Sequence, residues 1–264
     1  MRPVSLLFHD VYASSPRESG FNSLAADRYK LSVPEFDAQL DGLADLRIPL
    51  VRRTSWRQRG NPPSRIPAVL TFDDGGVSFH TLIADRLEAL GARAHCFVST
   101  DYIGEHGFLT PQQIRELDAR GHVIGTHSSS HPSRFSALTS AEMRREWSDS
   151  RQRLEDILDH PVTVGSVPGG YFSRAVAEAA AAAGLQTLYT SEPTTKPSMV
   201  DGLRVAGRFT IRRGHPPEMA LRFASPAPWA RCGAWVGWNA KALVKPVLGA
   251  SYSRVADWIL EPNR

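Results

Sequence analysis

Short apolar runs recur along the chain, and polar or amphipathic stretches separate them. The runs are rich in valine, isoleucine, leucine and phenylalanine and have the length of buried strands. Those predicted as strands are Val4–Phe8, Ile66–Phe72, Ala94–Val98, Val123–Thr126, Val162–Val167, Gln186–Thr190 and Val205–Ile211. Because strands that alternate with helices form βα units, this pattern predicts one α/β domain built on a parallel sheet.

The stretches between the runs carry signals for the start of helices. Thr110 and Gln113 have the spacing of a capping box, and Pro111 takes the first helical position, so a helix is predicted to begin there. Thr139 and Glu142 form a second capping box, which predicts another helix. Further helices are predicted at Pro34–Leu46, Phe79–Leu90 and Arg174–Ala183.

The predicted strands are numerous enough to close the sheet into a distorted (β/α)7 barrel, in which functional side chains gather at the carboxyl ends of strands. We expect this α/β domain to occupy residues 1–220 and residues 221–264 to form a C-terminal extension. The extension mixes Trp229, Trp235 and Trp238 with cationic residues. That mixture predicts either packing on the barrel or peripheral contact with a membrane surface.

Composition narrows the class of protein. The 264 residues are 42% hydrophobic and 22% charged, which is typical of a globular chain. The net charge is +4, but no dense stripe of cations with interleaved aromatic residues occurs, so no nucleic-acid binding is expected. No apolar run has the length of a transmembrane helix. The first residues also lack the apolar length of a secretory signal, so a cytoplasmic location is expected.

Candidate chemistry lies directly after two of the predicted strands. Asp73 and Asp74 follow one of them in T-F-D-D-G-G. Another strand runs into H-S-S-S-H-P, which places His127 and His131 at the same kind of position. Because the carboxyl ends of parallel strands meet at one edge of a sheet, these four side chains are expected to lie near each other.

The four residue types suit a metal site. Imidazole and carboxylate are ligands for Zn²⁺, and two histidines with one aspartate leave positions for water and substrate, as a catalytic site requires. A cation beside Asp74 would neutralise it, while Asp73 stays ionised and acts as a general base. D-D-G alone is typical of a solvated turn and H-x-x-x-H alone of a surface pair, but together at strand ends they predict a metal centre.

T-F-D-D-G and H-S-S-S-H-P resemble the first two motifs of the NodB-type polysaccharide deacetylases, carbohydrate esterase family four. The resemblance implies a barrel of the NodB-homology type. It also implies that Asp73 is the general base and that Asp74, His127 and His131 bind a divalent metal, most commonly zinc. Ser128 resembles the small hydroxyl residue that braces the histidine loop in that family.

The third motif of the family, R-x-P-[Y/F]-G, is only partly matched by S-V-P-G-G-Y. Pro168 and Gly170 fit the motif, and the backbone N–H of Gly169 stands where the family has an oxyanion donor. Tyr171 is expected to fill the space of the missing aromatic ring. Ser166 stands at the position of the arginine, which leaves open how the general base is held.

A general acid must protonate the leaving amine. L-L-F-H-D-V near the N-terminus resembles the opening of the branch that includes poly-N-acetylglucosamine deacetylases, in which the acid histidine precedes the aspartate pair. This implies that His9 is the acid, with Asp10 as a candidate to orient it. His215, in R-R-G-H-P-P, is the alternative.

The function implied by the resemblance is metal-dependent removal of N-acetyl groups from a sugar or polysaccharide intermediate, in exopolysaccharide or glycoconjugate biosynthesis. The expected partner is therefore an N-acetylated carbohydrate. Because the motifs define the chemistry rather than the substrate, another amide or cyclic-amide hydrolase on the same fold is an alternative. The serine at position 166 also leaves open a non-catalytic sugar-binding relative.

Overall fold

A computed structural model describes residues 2–51 and 66–248, with side-chain surroundings as far as residue 240. Its strands, in chain order, are β1 (Val4–Phe8), β2 (Val11–Tyr12), β3 (Leu31–Ser32), β4 (Ala68–Phe72), β5 (His95–Val98), β6 (Val123–Thr126), β7 (Val164–Ser166), β8 (Thr187–Tyr189), β9 (Ser198–Val200), β10 (Leu203–Ala206) and β11 (Phe209–Thr210). Its α-helices are α1 (Leu24–Asp27), α2 (Val33–Asp45), α3 (Ala84–Ala89), α4 (Pro111–Ala119), α5 (Ser140–Leu158), α6 (Arg174–Ala182), α7 (Met219–Ala224) and α8 (Trp229–Leu248).

One large sheet organises the molecule. Its strand order is β11-β1-β4-β5-β6-β7-β8-β10-β9, and every neighbouring pair is parallel except β9 with β10. β2 and β3 form a separate parallel pair. The predicted α/β fold, a distorted (β/α) barrel of the NodB type, is confirmed by this curled sheet and its helices.

The single strand predicted at Val205–Ile211 is wrong, because the chain breaks there into β10 and β11. β10 pairs with β8 and β11 pairs with β1, so these two strands stand near opposite ends of the sheet. Only Gly207 and Arg208 join them, and such a link spans at most about 11 Å. The two ends of the sheet are therefore close in space. A Cβ on Gly207 would lie 2.3 Å from the carbonyl oxygen of Glu192, so only glycine fits the link.

The helix starts follow the predicted signals. Thr110 caps α4 and Thr139 caps α5, each through a complete capping box. The helix predicted at Phe79–Leu90 is divided, because a π-helical turn at Phe79–Ile83 precedes α3. Such wide turns are frequent next to functional sites. This one comes a few residues after the aspartate pair.

An aromatic cluster lies directly before the aspartate pair at the ends of β1 and β4. Phe8 and Phe72 stack with ring centroids 5.2 Å apart, and Phe36 and Phe79 pack edge-on against Phe72. All four side chains are buried. Burying a side chain of this size contributes about 1.5–3 kcal/mol, so the loops that follow these strands start from a firmly packed base.

The C-terminal part combines packing with exposed aromatic residues. Ala230 and Ala234 of α8 pack against the main core, whereas Trp229 and Trp235 are 81% and 51% exposed. No helix in residues 2–51 and 66–248 is long and apolar enough to cross a membrane. The domain boundary at residue 220 and the peripheral membrane contact stay predictions, and residues 249–264 lie outside the described part of the chain.

Candidate active site

The aspartate pair lies at the carboxyl end of β4. The backbone N–H of Asp73 donates to the carbonyl oxygen of Phe8 at 3.1 Å, which ties this loop to the end of β1. Asp74 and Gly75 then have positive φ angles of 79° and 81°, so the chain turns sharply directly after the strand. Both carboxylates are buried. The turn therefore keeps two adjacent carboxylates within one buried region instead of on opposite faces of a strand.

The structure brings the predicted ligand residues together. The metal-binding atoms of Asp74, His127 and His131 all lie within 4.8 Å of one another. Nε2 of each histidine is 3.5 Å from Oδ1 of Asp74. The loops after β4 and β6 therefore form one cluster with two nitrogen donors and one oxygen donor, which is a donor set that suits zinc.

The two histidines are in the state that metal binding requires. Nδ1 of His127 lies 2.9 Å from the carbonyl oxygen of Ser166 and donates to it, so Nε2 carries the lone pair. Burial lowers the pKa of His127 to about 3. Burial also lowers the pKa of His131. Both rings are therefore neutral at neutral pH and can act as ligands.

Asp74 lacks a full counter-charge within the described protein. Burial, followed by the charges of Asp10 and Asp73, raises the pKa of the Asp74 carboxyl well above its ordinary value. The positive charges of Lys30 and Arg208 lower this pKa, but they do not compensate for the causes that raise it. A divalent cation held by Asp74 would supply the missing charge, so the electrostatics of the cluster fit a metal as well as its donor atoms do.

Hydrogen bonds within the histidine loop support its shape. Ser128 and His131 both have positive φ angles, 66° and 52°, which are unfavourable for residues with a side chain. Oγ of Ser128 accepts from the backbone N–H of His131 at 3.2 Å. Oγ1 of Thr126 accepts from the backbone N–H of Ser128 at 3.1 Å and bonds to Oγ of Ser150 at 2.6 Å. These contacts agree with the bracing role expected of Ser128.

Arg208 holds Asp73, the role for which an arginine was expected at position 166. Its Nη1 and Nη2 each lie 2.7 Å from one oxygen of Asp73, and Nη2 also donates to Oγ of Ser166 at 2.7 Å. Ser166 in turn donates to Asp73 at 3.1 Å. The Arg208 side chain is completely buried and also donates to the carbonyl oxygen of Thr190. An arginine from the link between β10 and β11 thus pairs with the carboxylate that the resemblance makes the base.

This ion pair determines the charge of Asp73. Burial alone would raise the pKa of the Asp73 carboxyl, but the charge and the hydrogen bonds of Arg208 lower it well below its ordinary value. Asp73 is therefore ionised over the whole physiological pH range. Arg208 was missed from the sequence because it lies inside the strand predicted at Val205–Ile211. An arginine after a glycine in an apolar run was the available signal.

His9 lies directly after β1 and packs against Tyr29, with ring centroids 4.8 Å apart. Its Nδ1 is buried without a hydrogen-bond partner among the described residues. Burial lowers the pKa of His9 to about 4, and the charge of Asp73 partly opposes this shift. Asp10, the candidate to orient His9, accepts hydrogen bonds from two serines of the neighbouring loops, Ser19 and Ser78, and its orienting role stays a prediction.

His215, the alternative acid, lies beyond β11. Its Nε2 accepts from Nε of Arg212 at 3.2 Å. Burial, followed by the charge of Arg212, lowers the pKa of His215 to about 4. Within residues 2–51 and 66–248, no hydrogen bond or ring contact joins it to Asp73, Asp74 or the two clustered histidines.

The partial third motif forms a tight turn after β7. Pro168 is buried, and Gly169 and Gly170 have positive φ angles of 61° and 71°. The guanidinium of Arg134 lies 5.4 Å from the ring centroid of Tyr171. Because the turn begins two residues after the carbonyl that holds His127, it borders the cluster. The oxyanion role of the Gly169 N–H stays a prediction.

A segment between β2 and β3 covers one side of the site and was not predicted. The ring of Phe21 lies 4.6 Å from that of His131. The ammonium of Lys30, which is 2% exposed, donates to the carbonyl oxygens of Pro16, Ser19 and Phe21 at 2.6–2.7 Å. The buried ammonium of Lys30 therefore holds the segment that places the ring of Phe21 beside His131, a predicted metal ligand.

Part of the chain matches a known protein family. Residues 60–188 match the family described as polysaccharide deacetylase. The matched part contains the aspartate pair, the histidine loop and the turn after β7. His9 and Arg208 lie outside it.

Individual relatives agree with that match. The Bacillus subtilis protein YxkH, which is only provisionally described as a polysaccharide deacetylase, is 28% identical over 131 residues, or 50% of this chain and 47% of the relative. A peptidoglycan-N-acetylglucosamine deacetylase of Bacillus cereus is 35% identical over 72 residues, or 27% of this chain and 25% of the relative. The aligned part of the chain thus spans less than half of the length of either relative.

Solved structures extend the likeness over most of the chain. The Streptococcus pyogenes deacetylase PplD, determined in complex with acetate, has a TM-score of 0.70 at 21% identity and covers 86% of this chain and 99% of its own. IcaB from Ammonifex degensii has a TM-score of 0.64 at 20% identity and covers 89% of this chain and 96% of its own. At these identities the likeness establishes the fold.

Proposed function

This chain belongs to the polysaccharide deacetylase family, and from that membership we propose that it is a metal-dependent hydrolase that removes N-acetyl groups from a sugar or polysaccharide. The observation that carries the proposal is the cluster of Asp74, His127 and His131 beside an Asp73 that is kept ionised by Arg208. Two catalytic requirements, a cation site and a charged base, thus meet in one buried region.

Asp74, His127 and His131 would hold the divalent metal, for which we propose zinc because of the two imidazole donors and one carboxylate donor. Such a metal supplies Lewis-acid activation of water and of the amide carbonyl. Three protein ligands are typical of a catalytic zinc site, whereas structural zinc sites have four.

Asp73 takes the proton of the attacking water. Its two oxygens accept three hydrogen bonds, two from Arg208 and one from Ser166, and a carboxylate can accept about four. One acceptor position is therefore left for the water. Because its pKa is held low, Asp73 is a weak base, and its proton transfer would be favoured by the acidifying effect of the cation that Asp74, His127 and His131 would hold.

Bond making and bond breaking then involve the other predicted groups. The water oxygen bonds to the acetyl carbon, the N–H of Gly169 donates to the developing oxyanion, and the C–N bond breaks to release acetate. His9 gives a proton to the leaving amine. A histidine with a pKa of about 4 is a strong proton donor once it is protonated, although it is mostly neutral at pH 7.

The substrate is proposed to be an N-acetylated amino sugar within a polymer or a biosynthetic glycan intermediate. The similarity to the Bacillus cereus relative, a peptidoglycan-N-acetylglucosamine deacetylase, supports this substrate class. The alternative of a non-catalytic relative rested on the missing arginine at position 166. Arg208 now pairs with Asp73, which removes the main reason for that alternative.

The test is acetate release from N-acetylated oligosaccharides, with zinc added and after chelation. We expect release from the wild-type protein only when metal is present. Asp73→Asn should keep zinc, because Asp73 is not a proposed ligand, but lose about 10²–10⁴-fold in rate. A zinc-loaded wild-type protein that hydrolyses cyclic amides but no N-acetyl sugar would support the alternative hydrolase, and an active Asp73→Asn variant would exclude Asp73 as the base.

A further inference from the structure

The loop that carries the two histidines exposes backbone groups that other elements must satisfy. The carbonyl oxygens of Ser128 and Ser129 accept from the backbone N–H groups of Thr100 and Asp101 at 3.1 and 3.0 Å. These contacts fix one side of the loop through the segment after β5. The N–H groups on the other side, those of Ser129 and Ser130, point to a different element.

That element is α5, and the acceptor is one carboxylate. Oε2 of Glu146 accepts from the N–H of Ser129 at 3.0 Å and from the N–H of Ser130 at 2.9 Å. Oε1 of Glu146 accepts from Oγ of Ser130 at 2.6 Å. Oγ of Ser129 donates in return to the carbonyl oxygen of Glu146 at 3.3 Å. Four hydrogen bonds therefore join one residue of α5 to two consecutive loop residues.

Packing and hydrogen bonds of the surrounding residues of α5 fix the position of Glu146. Met143, three residues earlier, and Trp147, the next residue, are both buried. Trp147 packs against Phe135 with ring centroids 4.7 Å apart. Ser150, one turn later, bonds to Thr126 at the end of β6. The carboxylate thus comes from a fixed helix and reaches a loop whose backbone is strained at Ser128 and His131.

We propose that Glu146 is a positioning residue for the metal centre, which holds the backbone of Ser129 and Ser130 so that His131 stays within reach of Asp74. The inference rests on the metal site of the proposed function. Hydrogen bonds from a carboxylate to backbone N–H groups are charge-assisted and strong. Outer partners of this kind typically change metal affinity by about 10- to 100-fold when they are removed.

The experiment measures zinc binding to the metal-free full chain, by competition with a chromophoric chelator, for Glu146→Ala and Glu146→Gln. Asp149→Asn is the matched control, because it removes an exposed acidic charge from the same helix, where Asp149 accepts a hydrogen bond from the adjacent Ser148. We expect the zinc Kd of Glu146→Ala to rise by about tenfold or more. Glu146→Gln should show a smaller rise, because one amide oxygen still accepts, and Asp149→Asn should match the wild type.

Hydrogen exchange of the Ser129 and Ser130 amides gives a second readout that does not require metal. Both amides should exchange faster in the two Glu146 variants than in the control. Wild-type zinc affinity in a folded Glu146 variant would overturn the proposal, as would an equal loss in Asp149→Asn. If Glu146→Ala does not fold, Glu146→Gln decides the question. A wild-type protein that binds zinc but releases no acetate contradicts the proposed function and leaves the role of Glu146 intact.

Discussion

The two oxygens of Asp73 face the two Nη atoms of Arg208, and both side chains are buried. A buried carboxylate without such a partner is strongly disfavoured in its charged form. The low pKa of Asp73 is therefore a property of the pair, and the arginine comes from a part of the chain that the family model does not cover. The same pair has consequences for stability.

Arg208→Met is predicted to destabilise the metal-free protein by about 3–5 kcal/mol at pH 7, because it leaves an unpaired buried charge. In the wild type the folded-state pKa of Asp73 is below its unfolded value, so the pair stabilises the fold above that unfolded pKa and the contribution is lost as pH falls. In the variant, burial raises the pKa instead, so the loss should grow with rising pH.

Denaturant unfolding at pH 4 and pH 7 checks this prediction. Arg174→Met is the control, because Arg174 is an exposed partner of Glu178 on α6 and its removal should change stability by no more than about 0.5 kcal/mol. A deficit in Arg208→Met that is the same at both pH values would show that lost packing, not the charge of Asp73, is responsible.

The two candidate acids can be separated by single substitutions. His9→Ala is predicted to lower kcat for acetate release by about 10²–10⁴-fold, because the leaving amine loses its proton donor. His215→Ala should keep wild-type kcat, since the partner of its ring is Arg212 and not a residue of the cluster. The measurement is kcat on an N-acetylated oligosaccharide with zinc added. The reverse pattern would assign the acid to His215.

At the scale of elements, local sequence signals were sufficient to predict a helix or strand where the residues that determine it lie within the same short segment. Thr110 and Thr139 begin helices because the capping atoms lie within four residues of each other. The aspartate pair and the histidine loop were located for a similar reason, since each directly follows a recognisable strand. The break at Gly207 was not predictable in this way, because it depends on the carbonyl of Glu192 from another part of the chain.

The segment between β2 and β3 illustrates a second limit. Nothing in the local pattern around Lys30 indicates that its ammonium is buried, because the three carbonyls that it binds belong to residues 9 to 14 positions earlier. A buried lysine is tolerated only when such partners are present. Sequence reasoning therefore missed both the buried ammonium of Lys30 and the packing of the Phe21 ring against His131.

Lys30→Met tests the role of this buried cation. The methionine keeps an unbranched stem but removes the donor to three carbonyl oxygens, so we predict a loss of at least about 1.5 kcal/mol in unfolding free energy. We also expect faster limited proteolysis within residues 16–27. Lys196→Met is the control, because Lys196 is exposed. Wild-type proteolysis rates in Lys30→Met would show that the segment is held by its other contacts, such as the bond of Gly20 to Gly107.

At the scale of the whole molecule, the site exists because the sheet is curled. Asp73 follows β4, whereas its partner Arg208 lies between β10 and β11, near the two ends of the strand order. β11, which Arg208 directly precedes, is only two places from β4 but six places from β8 in that order. A flat sheet would therefore separate β11 from β8 by six spacings of about 4.8 Å each, whereas Arg208 donates both to Asp73 and to the carbonyl oxygen of Thr190 directly after β8. The curl brings two negative carboxylates, one arginine and two neutral histidines into one buried region, and Asp74 is the group whose charge is not balanced there.

The uncompensated charge of Asp74 is predicted to lower the stability of the metal-free protein and to favour metal binding. Because the folded-state pKa of Asp74 is above its unfolded value, the metal-free protein loses stability as pH rises from the unfolded pKa towards the folded one. Asp74→Asn removes the ionisable group, so the metal-free variant should be more stable than the metal-free wild type at pH 7. It should gain nothing from zinc, whereas the wild type gains about 2.7 kcal/mol at a zinc concentration of 100 Kd.

Thermal unfolding of both proteins at pH 7, with chelator and with zinc, measures the two effects together. Asp149→Asn again serves as the control, because it removes an exposed carboxylate and should follow the wild type under both conditions. If metal-free Asp74→Asn is less stable than the wild type, Asp74 stabilises the fold through contacts and not through a bound cation. If zinc still stabilises Asp74→Asn as it does the wild type, the ion binds elsewhere, and the cluster with His127 and His131 is not its site.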